Sequence, residues 1–285
     1  MPGQTTVHPT SKDCEHLIDL FVFKGQPVNN DQNRDIVVLV NQGYVVGFSP
    51  DRLQPVWAAY RVAGFDQDVD YDRPHLYYDD HRLDPAQRIG AKPFGSHDNI
   101  QYHVGHMVPN EVINRQFGRL AQMETFFMSN MCPQRGSLNT GTWMKLENAI
   151  ANIQDVPRQR DHVWAVVGPV FGDAPDVLTR SDGKQVPIPE AFFCITFDPF
   201  RYPWDRLSNV AIAAFLIPQD APGGSDPTDY LSDIEEIERR TRLSFLPGWD
   251  ALPTRSASAR DAARSRGGAP EPRNRLLAAL AVSGD

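Results

Sequence analysis

Residues 102–148 read YHVGHMVPNEVINRQFGRLAQMETFFMSNMCPQRGSLNTGTWMKLEN, and this stretch decides the fold. A glycine precedes His106, which predicts a tight turn that presents the imidazole rather than packing it. Asn139 lies where a loop would lead into a helix, and Glu147 lies two turns further along that helix. An imidazole, a neutral oxygen donor and a carboxylate suit a hard cation that works with a general base.

The segment after Gly141 is predicted to be a helix with one buried face, because apolar residues recur there at three- and four-residue spacing. These residues are Trp143, Leu146, Ile150 and Ile153. Asn139 and Glu147 then lie on similar sides of the helix. An asparagine at this place is also a common helix N-cap, and Ser137 or Thr140 could cap the helix instead.

The same stretch carries a resemblance that extends along the chain. GHMVP, ETFFMSNMCPQ, LNTGTW and KLE resemble the DNA/RNA non-specific endonuclease family, the group that includes mitochondrial endonuclease G and secreted bacterial sugar-non-specific nucleases. Upstream, GYVVGF, PVWAAYRV and DRPHLYYDDHRL are similar to the first strands and the arginine-bearing loop of that family. Downstream, four segments are similar to the later strands and the closing helix of that family: VWAVVGPVF, IPEAFFCITF, AAFLIP and IEEIERRTRLSFLP.

The resemblance implies an α+β fold of the ββα-metal (His-Me finger) type, with a central antiparallel sheet flanked by helices. The finger would run from the turn at His106 through a strand at Ser129-Asn130 to the helix after Asn139. We expect a polar lead-in at residues 1–34, a nuclease domain at 35–250 and an Arg/Ala-rich, disordered tail at 251–285. Within the tail, RLLAALAV could form a short helix on a partner.

The implied function is a sequence-non-specific endonuclease that hydrolyses phosphodiester bonds in DNA and RNA and depends on Mg²⁺ or Mn²⁺. His106 would be the general base, since an imidazole titrates near neutral pH. Asn139 would bind the ion directly, and Glu147 would hold one of the waters of the ion. The resemblance gives the phosphate contact to Arg73, with Arg82 as its rival in the same loop, because a guanidinium group binds phosphate oxygens bidentately.

By the same resemblance Asn130 orders the site, and Gln134 and Arg135 lie near the substrate backbone. One departure from the family is visible. The family usually reads Asp-Arg-Gly-His at the catalytic turn, whereas residues 103–106 here read HVGH. We expect a protonated His103 to replace part of the lost cation near the substrate, so that activity rises at mildly acidic pH.

The departure leaves other functions open, although the presence of His106, Asn139 and Glu147 favours retained activity. One alternative is a catalytically impaired nucleic-acid-binding or regulatory protein with the same fold. Another is a toxin or defence effector nuclease that a partner controls. His103, His106 and Cys132 could also be ligands of a zinc ion, but three residues without a spacing signature are a weak signal.

Composition sets further bounds on the 285-residue chain, whose net charge is −8. The tail at 251–285 carries a net +3 and the rest −11, a balance that disfavours tight non-specific nucleic-acid binding at physiological salt. Three cysteines are too few for a disulfide framework. No leader or membrane span is visible, so we predict a cytoplasmic protein without a membrane partner. The expected partners are DNA and RNA, with a homodimer and a regulatory protein as further ones.

Outside the central stretch, β-branched and aromatic runs predict strands. A hairpin is expected around Gln42-Gly43, between strands at 35–41 and 44–48, and LIDLFVF is read as an edge strand. Further strands are predicted at 56–62, 163–167, 192–197 and 210–217, and a long surface loop at 65–101. Residues 230–241 predict an amphipathic helix, since apolar residues recur every three positions and acidic residues occupy the first turns.

Overall fold

The computed structural model describes residues 5–8, 14–63, 71–152, 162–199, 210–247, 249, 276–277 and 280. Its helices are α1 (Glu15–Phe21), α2 (Asn110–Glu124), α3 (Trp143–Ala151) and α4 (Ile234–Thr241). Its strands are β1 (Thr5–His8), β2 (Val28–Asn29), β3 (Ile36–Val40), β4 (Tyr44–Ser49), β5 (Gln54–Ala63), β6 (Gly95–His97), β7 (Ile100–His106), β8 (Met131–Arg135), β9 (His162–Val170), β10 (Val177–Thr179), β11 (Gln185–Pro187), β12 (Ala191–Pro199), β13 (Val210–Pro218) and β14 (Leu243–Ser244).

A seven-stranded sheet in the order β1-β3-β4-β5-β9-β12-β13 forms the centre of the molecule. β1 runs parallel to β3, and all the other neighbours are antiparallel. The hairpin at Gln42-Gly43 is confirmed, because Val40 pairs with Val45 across it. The four further predicted strands are confirmed as β5, β9, β12 and β13, and the predicted helix is confirmed over the range of α4.

Both faces of this sheet are buried, because successive side chains of a strand point to opposite faces. Along β3, Val37 and Leu39 enter one core layer, whereas Ile36 and Val38 enter the other. Residues of α2 and α3 complete the first layer, and residues of α1 and α4 complete the second. The predicted α+β class, a central antiparallel sheet flanked by helices, is confirmed.

One element differs from the prediction: LIDLFVF does not form an edge strand. Its first five residues belong to helix α1, which ends at Phe21. Ile18 and Phe21 are three residues apart, and both are buried in the second core layer. A short apolar run is compatible with either a strand or a buried helix, and here the sheet buries it as a helix face.

A separate three-stranded sheet, β6-β7-β8, carries the predicted finger. β7 and β8 are antiparallel, with His106 opposite Met131, and α3 follows β8 in the chain. Ser129 and Asn130 lie in a short 3-10 turn just before β8 rather than in a strand. The long helix α2 connects β7 to this turn and bends at Gly118, whose φ is 77°.

The predicted disordered tail and Ile153 lie outside the described residues, apart from 276–277 and 280. Leu276 and Leu280 are buried in the first core layer, and Leu277 packs against it. Leu276, Leu277 and Leu280 of RLLAALAV therefore pack on their own chain. Of the long loop predicted at 65–101, residues 64–70 are not described, and residues 71–94 contain one isolated bridge between Tyr78 and Phe127.

Candidate active site

His106 is the last residue of β7, and its ring is enclosed by aromatic side chains. Phe126 meets the imidazole edge-on, with ring centroids 4.9 Å apart. The residue is 8% exposed, and its Nε2 atom is buried without a hydrogen-bond partner in the described part of the chain. Burial, and then the positive charge of Arg73, lower the pKa of His106 from 6.5 to about 3. The imidazole is therefore neutral at physiological pH and free to accept a proton.

Gly105 does not form the turn that we predicted before His106. It is a residue of strand β7, and a Cβ atom at this position would lie 2.0 Å from Oε1 of Gln134. The glycine is required because the Gln134 side chain crosses directly over its backbone. Gln134 is fully buried, and its two amide atoms have no hydrogen-bond partner among the described residues.

Asn130 fixes the backbone that follows His106. Its Oδ1 accepts from the N–H of Val108 at 3.0 Å, and its Nδ2 donates to the carbonyl oxygens of Val108 and Thr125 at 3.1 and 3.0 Å. Its own carbonyl oxygen accepts from the N–H of Met107 at 2.9 Å. The side chain is 0% exposed, so Asn130 orders the site without reaching a substrate.

Asn139 lies in a π-helical turn, Leu138–Thr142, immediately before α3. Ser137 is at the N-cap position of this turn and Thr142 at that of α3, but neither side chain makes a capping hydrogen bond. Thr140 donates back to the carbonyl oxygen of Gly136. The Nδ2 atom of Asn139 donates to Nδ1 of His103 at 3.3 Å. This contact occupies the amide nitrogen and leaves the Oδ1 atom available to a cation.

The π-helical turn depends on a close approach between two backbones. A Cβ atom on Gly141 would lie 2.4 Å from the Cα atom of Gly223, so the position has no room for a side chain. Thr142 donates from Oγ1 to the carbonyl oxygen of Pro222 at 2.7 Å and ties the same two segments together. The loop at 222–224 therefore holds the turn that presents Asn139.

Glu147 lies one turn after Trp143 on α3, and the indole Nε1 donates to its Oε1 at 3.0 Å. Burial raises the pKa of Glu147 from 4.5 to about 8, against the opposing effects of the Trp143 hydrogen bond and of Arg73. The carboxyl group is therefore protonated at neutral pH in the absence of a nearby cation.

A cleft of about 560 Å³ brings these side chains together. Four of the predicted site residues line it: Arg73, His106, Asn139 and Glu147. The Arg73 guanidinium lies 5.3 Å from the centre of the Phe126 ring, and no carboxylate pairs with it among the described residues. Three separate parts of the chain thus converge on one cavity.

Arg82, the rival of Arg73, is held away from the cleft by its own partners. It donates to both carboxylate oxygens of Asp80 at 2.9 and 2.7 Å, and to the carbonyl oxygen of Val40 and Oδ1 of Asn41 at 2.9 Å each. Asp80 is 2% exposed and also accepts from Ser129 Oγ at 2.6 Å. Arg82 is a structural residue that joins the loop to the central sheet.

The structure does not bring the three predicted substrate-binding residues to the cleft. Gln134 is buried over Gly105, and His103 lies behind Asn139 rather than at the cavity wall. Arg135 lines a different cavity, and its backbone N–H donates to Oε1 of Gln219 at 2.9 Å. None of the three lines the cleft, and their contact with a substrate stays a prediction.

Sequence reasoning missed three residues of the site. Phe126 supports both His106 and Arg73, although the sequence indicates only a core aromatic. Trp143 hydrogen-bonds Glu147, and its spacing of four positions from that residue was the available signal. Asn110 lines the cleft with an Oδ1 atom that is buried and has no partner among the described residues. No local pattern marks Asn110.

The donor set of the cleft fits a hard divalent ion better than zinc. Asn139, Glu147 and Asn110 are among the oxygen-bearing residues that line this cavity, and oxygen ligands are those that Mg²⁺ and Mn²⁺ prefer. The unpartnered Oδ1 of Asn110 is an acceptor for a cation or one of its waters. Among the described residues, no group of three or more His, Cys, Asp or Glu side chains could hold a metal ion.

Comparison with known proteins gives a consistent result. A family model described as DNA/RNA non-specific endonuclease matches residues 24–252, a range that contains the predicted domain. The human protein named Nuclease EXOG, mitochondrial, is 30% identical over 156 residues, which are 51% of this chain and 40% of that protein. The Serratia marcescens protein named Nuclease is 25% identical over 236 residues, with 80% of each chain covered.

A third relative, the Xenopus laevis protein named Nuclease EXOG, mitochondrial, is 28% identical over 240 residues, which are 79% of this chain and 61% of that protein. The chain thus spans less than two thirds of the length of the human and frog relatives. A solved structure of the EndoG/EndoGI complex matches with a TM-score of 0.61 at 18% identity, covering 85% of this chain and 94% of that chain. This likeness is one of fold. No helix in the described ranges is long and apolar enough to cross a bilayer.

Proposed function

Because the chain belongs to the DNA/RNA non-specific endonuclease family, we propose that it is a divalent-metal-dependent endonuclease that hydrolyses phosphodiester bonds in DNA and RNA. One observation carries the proposal: a single cleft contains Arg73, His106, Asn139 and Glu147, which come from distant parts of the chain. A general base, a phosphate-binding cation, a neutral oxygen donor and a carboxylic acid in one cavity are the groups that this hydrolysis needs.

His106 removes the proton from the attacking water. Its Nε2 is enclosed, so we assign this role to Nδ1, the other ring nitrogen. The ring is neutral when the cleft is empty, because burial and Arg73 lower its pKa to about 3. A bound phosphate diester brings negative charge next to the imidazole and compensates Arg73, and both changes raise the pKa of the ring. The base thus becomes stronger when a substrate is present.

Arg73 binds the scissile phosphate and stabilises the negative charge that develops on it. The guanidinium rests on the face of Phe126, and this contact orients the group without neutralising it. Since Phe126 also supports His106, one aromatic ring sets the distance between the base and the phosphate-binding cation. Asn130, which fixes the backbone after His106, is a positioning residue for the base.

Asn139 would hold the metal ion through Oδ1, and the His103 contact keeps its amide turned so that this atom is available. When bound, Mg²⁺ or Mn²⁺ would stabilise charge on the leaving oxygen of the phosphodiester. Glu147 would be in its carboxylate form beside the ion, because a neighbouring positive charge favours that form. Trp143 holds Oε1 of that carboxylate, which leaves Oε2 to orient a water.

The substrate range follows from what the cleft offers. Its charged groups are suited to phosphate, and phosphate contacts position a nucleic acid without reading its sequence. We therefore propose that DNA and RNA are both substrates. Since cationic contacts to phosphates release counterions from a nucleic acid, we expect cleavage to weaken as salt rises. The cytoplasmic location, the homodimer and the regulatory protein partner stay predictions.

Cleavage of supercoiled plasmid and of single-stranded RNA, with Mg²⁺ and with chelator, tests the proposal. We expect cleavage of both in Mg²⁺, none with chelator, and a loss of about 10²–10⁴-fold in His106→Ala, the range for a general base. His97→Ala is the matched control, because His97 lies in β6 outside the cleft. Intact substrates at millimolar Mg²⁺, or equal rates in His106→Ala and wild type, would contradict the proposed function.

A further inference from the structure

A second polar pocket lies between β5, the end of β9 and the end of α4, and its charge is dominated by arginine. Its volume is about 140 Å³. Four arginines line it, together with the carboxylates of Asp31 and Asp173: Arg34, Arg52, Arg240 and Arg242. We call it the arginine pocket. A water takes about 30 Å³, so the pocket can hold a group of phosphate size.

The arginine pocket is on the opposite side of the central sheet from the cleft. Val56, which lines the pocket, belongs to the core layer of α1 and α4. Val112 and Ala151, which line the cleft, belong to the layer of α2 and α3. No residue lines both cavities. The pocket is therefore not an extension of the catalytic site.

Arg34 forms the rigid wall of the pocket. It is 6% exposed, and it donates to Oδ1 of Asn29 from Nε at 3.1 Å and from Nη2 at 2.8 Å. It also donates to the carbonyl oxygens of Thr241 at 2.9 Å and Arg242 at 3.2 Å. All these acceptors are neutral. Hydrogen bonds to neutral groups hold the guanidinium in place, and the charge of Asp31 acts on it without forming an ion pair in the described part of the chain.

Arg52 faces the same space from a different segment. Its guanidinium lies 4.4 Å from the centre of the Phe171 ring, a cation–π contact that fixes its plane. In the described part of the chain no carboxylate forms an ion pair with it. Burial lowers the pKa of Arg52, the charges of Asp31 and Asp51 oppose this change, and the charge of Arg242 adds to it. The group is thus a half-buried cation with a free side.

Arg242 reaches the pocket from a strained backbone position. It follows α4 with φ 54° and ψ 36°, a left-handed conformation in which glycine would be favoured. Basic residues at the end of a helix are explained by the helix dipole, and this accounts for Arg239 and Arg240. The dipole does not account for Arg34 and Arg52, which come from other parts of the chain.

The lining of the pocket contains four arginines and two aspartates. Arg240 is paired with Glu190 at 2.5 Å, and Arg242 is 3.8 Å from Asp31, whose Oδ1 also accepts from the N–H of Asn33. Arg34 and Arg52 have no ion pair of their own in the described residues. Burial lowers the pKa of Arg34 to about 10, the charge of Asp31 opposes this change, and the charges of Arg52 and Arg242 add to it.

We propose that the arginine pocket binds a phosphate group, either free phosphate or the terminal phosphate of a nucleotide. A phosphate oxygen accepts hydrogen bonds from guanidinium groups in their preferred fork geometry. Arg52 and Arg242 supply the open donors, and Arg34 supplies a fixed positive charge behind them. The site is a binding site remote from the chemistry, and it does not depend on the proposed nuclease activity.

Calorimetric titration of the full chain with sodium orthophosphate, in metal-free buffer at constant ionic strength, tests the proposal. We expect saturable binding that weakens at least about tenfold in Arg52→Gln, the loss expected for one charge-assisted hydrogen bond. Arg242→Gly should weaken it similarly, and this variant relieves backbone strain, so a folding defect would not obscure the result. Arg239→Gln is the matched control, because Arg239 is at the same helix end but outside the pocket.

Arg73→Gln separates this pocket from the cleft, which also attracts phosphate. Binding that persists in Arg73→Gln and falls in Arg52→Gln supports the proposal. No saturable binding at millimolar phosphate, or binding lost only in Arg73→Gln, overturns it. A 5′-phosphorylated dinucleotide forms a second arm: tighter, Arg52-dependent binding identifies a nucleotide end as the source, and Arg52-dependent binding of orthophosphate alone identifies free phosphate.

Discussion

The cleft and the arginine pocket lie on opposite faces of one sheet and treat charge in opposite ways. In the cleft, burial suppresses charge: the pKa of His106 falls to about 3 and that of Glu147 rises to about 8. Both groups are therefore neutral at pH 7 until a ligand arrives. In the arginine pocket, Arg34 keeps its charge, because even a pKa of about 10 leaves a guanidinium protonated at physiological pH.

This difference teaches what each cavity is suited to do. Groups whose charge depends on a ligand can move a proton during a reaction, as a general base must. Groups with permanent charge cannot exchange protons near neutral pH, but they bind an anion over the whole physiological range. The cleft is thus suited to proton transfer during a reaction, and the arginine pocket is suited to anion binding. We call the ligand-dependent charges of the cleft conditional charges. Substituting the permanent and the conditional charges one at a time tests this comparison.

The largest expected effect comes from Arg73, the one permanent charge that the structure places in the predicted catalytic set of the cleft. Arg73→Ala should lower kcat/KM for plasmid cleavage about 10³-fold, the range for losing a group that stabilises transition-state charge. The melting temperature should not change, because Arg73 is exposed and has no ion pair within the described ranges. Steady-state cleavage rates and thermal unfolding of the same preparations measure both quantities.

Arg82→Ala is the matched control from the same loop. It leaves Asp80, which is 2% exposed, without its ion-pair partner, so it should lower the melting temperature. At temperatures where this variant is folded, its cleavage rate should be close to that of wild type. The reverse result, a stable but inactive Arg82→Ala and an active Arg73→Ala, would move the phosphate contact from Arg73 to Arg82.

The sequence predicts the cleft much better than it predicts the arginine pocket. The pattern around His106 and along the Asn139–Glu147 segment is local, and the resemblance to a known family joins the two parts. Arg73 could be named only with Arg82 as a rival, since both lie in one loop of irregular structure. The structure distinguishes the two because Arg82 is paired with Asp80, which is buried. No spacing in the sequence reveals that burial.

The surroundings of two predicted substrate-binding residues depend on tertiary structure. Gln134 was assigned to the substrate by family resemblance, and His103 was assigned to it as a partial replacement for the lost cation. In the fold, β7 and β8 pair so that Gln134 crosses Gly105, and the turn before α3 brings Asn139 onto His103. The arginine pocket was missed because Arg34, Arg52 and Arg242 meet only through tertiary structure. Helix α1 was missed because a short apolar run does not choose between helix and strand.

A smaller effect is expected from Arg34, the buried cation of the arginine pocket. Arg34→Met should lower the free energy of unfolding by about 3 kcal/mol, because it removes the buried hydrogen bonds of the guanidinium group to Asn29, Thr241 and Arg242. The loss should be the same from pH 5 to pH 8, since the guanidinium is charged in both folded and unfolded chains below a pKa of about 10. Urea denaturation at several pH values measures it. A loss that varies with pH would show that the pocket also contains conditional charge.

The smallest expected effect is a pH dependence of the free energy of unfolding that arises from Glu147 in the cleft. Between pH 4.5 and 8 the folded chain keeps a proton on Glu147 that the unfolded chain releases, because the folded pKa is about 8. Stability must therefore fall as pH rises through this window. His106 acts in the opposite direction but only below its ordinary value of 6.5, since its pKa is lowered. The range from pH 6.5 to 8 isolates Glu147.

In metal-free buffer, the free energy of unfolding of the wild type should fall by at most about 2 kcal/mol between pH 6.5 and 8, relative to that of Glu147→Gln. One pKa unit corresponds to about 1.4 kcal/mol. Urea denaturation of both proteins measures the difference. Glu235→Gln, an exposed position on α4, should show no such slope relative to wild type. Saturating Mg²⁺ should abolish the slope, because a cation near the carboxylate favours its charged form. A slope that persists in Mg²⁺ would place the ion away from Glu147, and the conditional charges of the cleft would then respond to the substrate alone.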